Sequence, residues 1–294
     1  MVSQRLRVLC LAIVIGFLLA PTMVSWGQGL APKAPSQPSP QRLHYFSQVS
    51  ISPDGQFVTW NQVERGDDSH TSEPELCVAD LRSSSGSPKR IVVREGKTRK
   101  AGHGAAWSPD GKQLAFLYST GKSGQQQIFV IGRSGGQPKQ VTHLTGAISN
   151  LRWSPDGKSI GYLFIENPSR AAGPTSAVPT QTGVVGEKSF VQRIGSVDVA
   201  NGQARKVSPA DLYVYEYAWS PDSQTLAAIA AHPPGDDNWY LAQLFTLPIQ
   251  SGVVSSILKP SMQIAEPCWS PDGKSIAFIG GLMSDEGFTG GDIF

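Results

Sequence analysis

One phrase recurs five times in this chain: Ile51-Ser-Pro-Asp-Gly55, Trp107-Ser-Pro-Asp-Gly111, Trp153-Ser-Pro-Asp-Gly157, Trp219-Ser-Pro-Asp-Ser223 and Trp269-Ser-Pro-Asp-Gly273. Five copies at irregular but comparable spacing define internal repeats, and repeats restrict a chain to arrays, solenoids or propellers. The phrase is a turn. Its Ser can bond backbone ahead of it, Pro fixes φ near −65°, Asp tolerates the bridge region, and Gly takes positive φ. That combination reads as a type I turn with a glycine bulge, reversing the chain between two antiparallel strands. Ser223 stands where the other copies have glycine, so that turn is expected to be strained or differently closed. Each turn is followed by an apolar strand such as Gln113–Leu117 or Ser275–Ile279. The Trp that precedes four of the turns reads as a packing residue between neighbouring sheets rather than a ligand platform.

Third and fourth strands complete each unit. Leu76–Leu81, Gln127–Ile131, Phe190–Ile194 with Val197–Val199, and Gln243–Leu247 fill the third place. Polar turns follow at 85–88, 134–137, 201–203 and 251–252. Short strands such as Lys139–Thr142 and Arg205–Ser208 come next. Four antiparallel strands per unit make an all-β fold, a β-propeller of four-stranded blades. The expected blades are 43–94, 103–143, 148–208, 213–258 and an incomplete 263–294. The turn residues Ser52 and Asp54, Trp107 and Asp110, Trp153 and Asp156, Trp219 and Asp222, and Trp269 and Asp272 mark the five hairpins.

Composition agrees with many strands and tight turns: Gly 31 and Pro 22 among 294 residues, with charged residues at only 16%. A formal net charge of +2, with scattered Lys and Arg, gives no stripe of the kind that neutralises phosphates, so nucleic acid is excluded as a partner class. Arg5 and Arg7, the apolar run Val8–Ala20 and the small residues near Ser25 and Gly27 have the layout of a secretory signal peptide over 1–27. A retained anchor is the alternative, since Trp26 sits near the cleavage point; Cys10, preceded by Arg7, Val8 and Leu9, does not resemble a lipoprotein acylation site. Residues 28–42 are rich in Pro, Gln, Ser and Ala and read as a linker. The expected location is therefore periplasmic or secreted, with no integral membrane domain after signal cleavage. Cys77 and Cys268 would remain in an oxidising compartment where pairing is chemically possible; nothing places them face to face, and buried free thiols in strands are the preferred reading.

The Trp-Ser-Pro-Asp-Gly-Lys turn followed by Ile-Ala-Phe resembles the repeat of TolB-type propellers over almost all of the chain after the linker. Tyr215–Ser220, the loop Pro234–Tyr240 and the segment Gly281–Phe294 resemble the N-terminal propeller of bacterial peptidases of the prolyl oligopeptidase family. That resemblance implies a propeller that precedes an α/β-hydrolase domain and filters access to its serine active site. The fifth unit reaches Asp292–Phe294 within its third strand, which leads to the expectation of a fragment or early-terminated product. Closure by dimerisation or strand swapping is the alternative.

Gly132-Arg-Ser-Gly-Gly136 matches the Gly-x-Ser-x-Gly pattern of a nucleophile elbow, but an elbow needs a helix after it, and Pro138 with the strand-like Lys139–Thr142 follows here. Ser134 is therefore expected to be non-catalytic. His44, His70, His103, His143 and His232 lack metal-ligand spacing, and the Asp-Gly adjacency of the repeat is the wrong register for a sialidase Asp-box. The acidic loops 66–68 and 235–237 read as solvated, with too few ordered oxygens for calcium. The insertion Glu166–Ser189 lies on the same blade edge as those loops. It is either a partner-contact segment or disordered. No catalytic, cofactor or metal site is assigned, and the expected partner is a peptide or protein, including a cis hydrolase domain.

Overall fold

The computed structural model describes residues 43–65, 74–83, 88–95, 98–121, 124–166, 190–235, 237–282 and 290–294. The signal and linker expectations, His70, the 66–68 loop, Asp236 and nearly all of the 166–189 insertion lie outside them. The described residues fall within one compact unit, Pro40–Phe294.

Five antiparallel sheets follow in chain order. Blade 1 is β1 (Leu43–Ile51), β2 (Phe57–Arg65), β3 (Glu75–Asp80) and β4 (Lys89–Arg90). A two-stranded hairpin, β5 (Val92–Glu95) with β6 (Thr98–Ala101), comes next and is not anticipated by the repeat. Blade 2 is β7 (His103–Trp107), β8 (Gln113–Thr120), β9 (Gln125–Gly132) and β10 (Lys139–Gln140). Blade 3 is β11 (Gly146–Trp153), β12 (Ser159–Glu166), β13 (Arg193–Asp198) and β14 (Ala204–Lys206). Blade 4 is β15 (Tyr213–Trp219), β16 (Thr225–Ala231), β17 (Gln243–Pro248) and β18 (Ser255–Leu258). A fifth sheet holds β19 (Gln263–Trp269), β20 (Ile276–Gly281) and β21 (Asp292–Ile293). First strands lie side by side: β1 against β7, β7 against β11, and β15 against β19. The third strand of blade 3 starts later than the apolar pattern suggests. Gln192 instead turns toward the next blade, where its side chain donates to the Val214 carbonyl at 2.8 Å and its own carbonyl accepts the Val214 N–H at 2.9 Å.

The second strands of blades 2 to 4, β8, β12 and β16, are buried on both faces, which is why they read as nearly continuous apolar runs rather than alternating ones. Period two still decides which seam a residue enters. In β8, Leu114, Phe116 and Tyr118 join the core facing blade 1, whereas Ala115 and Leu117 join the core facing blade 3. In β16, Leu226, Ala228 and Ala230 face blade 3, and Ala227 and Ile229 face the fifth sheet.

The Trp side chains hold successive blades together by a repeated hydrogen bond. The indole N–H of Trp153 donates to the carbonyl of Ala106 at 3.0 Å, that of Trp219 to Arg152 at 3.1 Å, and that of Trp269 to Ala218 at 3.3 Å. In each case the acceptor is the residue before the turn Trp, or its equivalent, one blade earlier. The residue paired with the acceptor on the second strand is small: Ala115, Gly161 and Ala227. A Cβ on Gly161 would lie 3.0 Å from the Trp219 indole nitrogen and 3.0 Å from Tyr217. Gly161→Ala is therefore expected to destabilise the fold by about 1–3 kcal/mol through overpacking against Tyr217 and Trp219, measured as a lower urea midpoint; an unchanged midpoint would show that this seam accepts the alanine that Ala115 and Ala227 supply at the others.

Candidate functional site

The five Ser-Pro-Asp turns share one hydrogen-bond circuit. The Ser hydroxyl donates to the Asp Oδ1 two residues on, at 2.6, 2.7, 2.6, 2.5 and 2.7 Å for Ser52, Ser108, Ser154, Ser220 and Ser270. The Ser Oγ in turn accepts the backbone N–H five residues after the Ser, at 2.9 to 3.0 Å. The carboxylate then accepts the N–H two residues further along. The Ser hydroxyl holds Asp54, Asp110, Asp222 and Asp272 below the usual carboxylate range. Asp156 is opposed by burial but is lowered too, through Ser154 and the Lys158 N–H. These aspartates close turns.

The turns also touch across blades. A Cβ placed on Gly111, Gly157 or Gly273 would meet Pro53, Pro109 or Pro221 of the preceding turn. Ser223 adopts φ +61°, the left-handed conformation that glycine takes elsewhere, and closes the turn with the same N–H to Ser220 carbonyl bond at 2.9 Å. The strain has a local offset: the Ser223 hydroxyl accepts the Asp156 N–H at 3.0 Å, linking blades 4 and 3. Ser220→Ala is expected to cost about 1–3 kcal/mol, because it leaves the Thr225 N–H without its acceptor; thermal or urea unfolding of the variant measures this.

The inner strands carry bulges three residues before the turn Trp, or before Ile51 in blade 1. Gln48, Gly104, Asn150 and Glu266 take positive φ there, and the pairing registers shift at the same places. Blade 4 has Glu216 at this position, with a shorter register shift between Val214 and Glu216. The Tyr217 hydroxyl donates to the Asn150 carbonyl at 2.7 Å, and burial pushes that phenol far above its ordinary range. Arg152 lies 5.9 Å from the Tyr217 ring centroid. Burial raises the Glu216 carboxyl, and the nearby Glu266 carboxylate raises it further, against the Glu266 N–H at 2.5 Å and the Arg152 charge. Because the folded-state pKa is raised, the charged form costs stability above the ordinary glutamate range and nothing below it. Glu216→Gln is thus expected to raise the unfolding midpoint at pH 7 relative to wild type and to lose that advantage near pH 4.

Gly132–Gly136 joins β9 to β10, so a strand rather than a helix follows Ser134, and the Gly135 N–H closes the turn on the Gly132 carbonyl at 2.9 Å. The segment fastens blade 2 to blade 1: the Arg133 guanidinium pairs with Asp54 and lies 5.3 Å from the Phe57 ring centroid. The described histidines are dispersed. His44 contacts Gln62, His103 contacts Gln126, His143 contacts Gln140, and His232 lies 4.0 Å from Asp211. Among the described residues no group of three or more His, Cys, Asp or Glu could hold a metal. Cys77 is buried, whereas Cys268 is exposed, contrary to the expectation of two buried thiols. The reason is positional: Cys268 and its cross-strand partner Ala277 occupy the face of the fifth sheet directed away from blade 4, where both side chains are exposed.

The seam between blades 1 and 2 departs from the others. Blade 1 presents Thr59 and Asn61 where later blades present Ala115 and Leu117, Gly161 and Leu163, or Ala227 and Ile229. The Thr59 hydroxyl itself donates to the Ser50 carbonyl at 3.3 Å, the atom equivalent to the indole acceptors elsewhere. The Trp107 indole N–H and the Asn61 Oδ1 are buried without hydrogen-bond partners. Two open cavities meet at Trp107: one of about 470 Å³ among the ends of β1, β7 and β11, and one of about 730 Å³ between the outer strands. Sequence reasoning missed this seam, although Thr59 and Asn61, set beside their counterparts, carried the signal.

Five sheets with side-by-side first strands and hairpin turns on one face are the anatomy of propeller blades. The solved structures decide the type. At 20% identity and a TM-score of 0.55, the chain matches a TolB-type protein of Agrobacterium tumefaciens over 81% of its own length and 71% of that chain. The fold is that of the TolB-type β-propellers. An acylaminoacyl peptidase of Pyrococcus horikoshii matches at 16% identity and TM-score 0.53, over 81% of this chain and 36% of that one. A puromycin hydrolase matches at 15% identity and TM-score 0.55, over 82% and 34% respectively. The chain thus spans about a third of these hydrolases. No protein-family model and no curated protein matches the sequence. At these identities the likeness extends to the TolB-type fold and no further.

Proposed function

We propose that this chain is a non-catalytic propeller that binds protein or peptide, and that its partner is an α/β-hydrolase domain of the prolyl oligopeptidase type, which it docks and to which it filters access. The observation that carries the reading is β1. Leu43, Tyr45, Phe46, Val49 and Ile51 are all at least half exposed along this nine-residue edge strand. Exposed apolar side chains along a strand at the edge of its sheet suit protein contact. The Gly132–Gly136 segment supports the same reading, since it clamps two blades. The periplasmic or secreted location inferred from residues 1–27 belongs to this proposal; among the described residues no helix is long and apolar enough to cross a membrane.

A second reading, a free-standing TolB-like module that binds a protein partner, is favoured by the 71% coverage of the TolB-type chain against 34–36% of the hydrolases. The chain alone is expected to hydrolyse short peptide esters no faster than buffer, and Ser134→Ala to change nothing. Added to a hydrolase domain of this type freed of its own propeller, it should form a 1:1 complex and slow cleavage of a long polypeptide more than that of a dipeptide ester. A complex that slows both equally, or no complex at all, overturns the docking and filtering role. A serine-dependent activity of the isolated chain overturns the non-catalytic reading as well.

A further inference from the structure

We propose that the outer cavity between blades 1 and 2 binds the C-terminal end of a peptide, with the last apolar side chain in the cleft and the α-carboxylate at Lys89 and Arg133. This site stands whether or not a hydrolase domain docks elsewhere. At about 730 Å³ the cavity lies within the range of small-ligand sites, roughly 300–1,000 Å³. Its walls are apolar: Ile91, Trp107, Leu114, Phe129 and Ile131 are all buried members of one cluster. Its rim is cationic. Lys89, Arg90 and Arg133 line it, and among the described residues no carboxylate does. Arg90 is paired with Glu75 at 3.0 Å and Arg133 with Asp54, both acids lying outside the lining, whereas Lys89 is exposed. The carboxamide of Gln137 on the same rim matches a peptide amide better than an alkyl chain.

A second, independent observation marks this seam as built for something other than blade contact. Trp107 is only 9% exposed, yet its indole N–H lacks the inter-blade bond that Trp153, Trp219 and Trp269 all make. A buried unpaired donor is costly, on the order of 1–3 kcal/mol. Its cause is identifiable: Thr59 takes the Ser50 carbonyl and fills the space that alanine or glycine leaves for the indole at the other seams. Trp107, the residue so orphaned, is itself part of the cavity wall. Arg133, its ion pair with Asp54 and its contact with Phe57 hold the blades together around the opening.

The test is calorimetric titration of the full chain with N-acetyl-Ala-Ala-Phe, with its C-terminal amide and with decanoate. The acid is expected to bind saturably at one site, and the amide about tenfold or more weakly, the loss of a charge-assisted contact. Lys89→Gln should weaken the acid about tenfold and leave the amide unchanged. Thr59→Ala should let Trp107 reach the Ser50 carbonyl, keep or raise the melting temperature, and lose the acid by about tenfold or more. Lys89 is exposed, so its variant decides the matter even where Thr59→Ala lowers stability. No binding of the acid, equal binding of acid and amide, decanoate binding as tightly as the peptide acid, or an unaffected Lys89→Gln each overturns the proposal.

Discussion

A single bond, from the Trp indole N–H of one blade to a backbone carbonyl on the inner strand of the blade before, sets much of the geometry of this molecule. It demands a small residue beside the acceptor, which explains why the second strands read Leu-Ala115, Ile-Gly161 and Leu-Ala227 at the same register. The Ser-Pro-Asp turns meet across blades as well, glycine or Ser223 against the preceding turn, and they do so even at Gly111, where the indole bond is absent. The apolar cores between blades then fill the remaining space, each second strand feeding alternate residues to its two seams.

The turn circuit does a different job. Ser, Pro, Asp and Gly act within one hairpin, with the hydroxyl both donating to the carboxylate and accepting a backbone N–H. This arrangement uses the Asp charge locally and leaves it exposed. The lowered carboxyls of Asp54, Asp110, Asp222 and Asp272 thus signal a closed turn, not catalysis, even though perturbed carboxyls are often read as functional. Glu216 is shifted the other way, by burial and by Glu266, and it sits on an inner-strand bulge where turn closure plays no part.

Much of the fold was legible in the sequence because the turn phrase punctuates it. Gly and Pro at fixed offsets set hairpins, and the strands after them could be read from their apolar runs. The hairpin Val92–Ala101 was not legible, since it belongs to no repeat and its residues carry no turn phrase. The exposure of Cys268 was missed for a related reason: strand chemistry identifies a residue that can be buried, while the neighbouring sheet decides whether it is. Ser223 was legible as strain but not as a link, because the Asp156 N–H that it accepts lies 67 residues away.

The seam between blades 1 and 2 shows how a repeat stores information in its departures. Thr59 replaces alanine or glycine and Asn61 replaces leucine or isoleucine, both on the second strand of the first unit and at the positions that face the next blade elsewhere. Each change alone would be an ordinary variation of a strand. Together they place polar groups where the later blades present apolar ones and Thr59 takes the carbonyl that an indole holds elsewhere, while an ion pair, Arg133 with Asp54, crosses the seam. A partly exposed ion pair contributes little by itself. The blades at this seam are therefore joined without the indole bond made by Trp153, Trp219 and Trp269, and the cleft proposed as a ligand site lies beside the indole that lacks it.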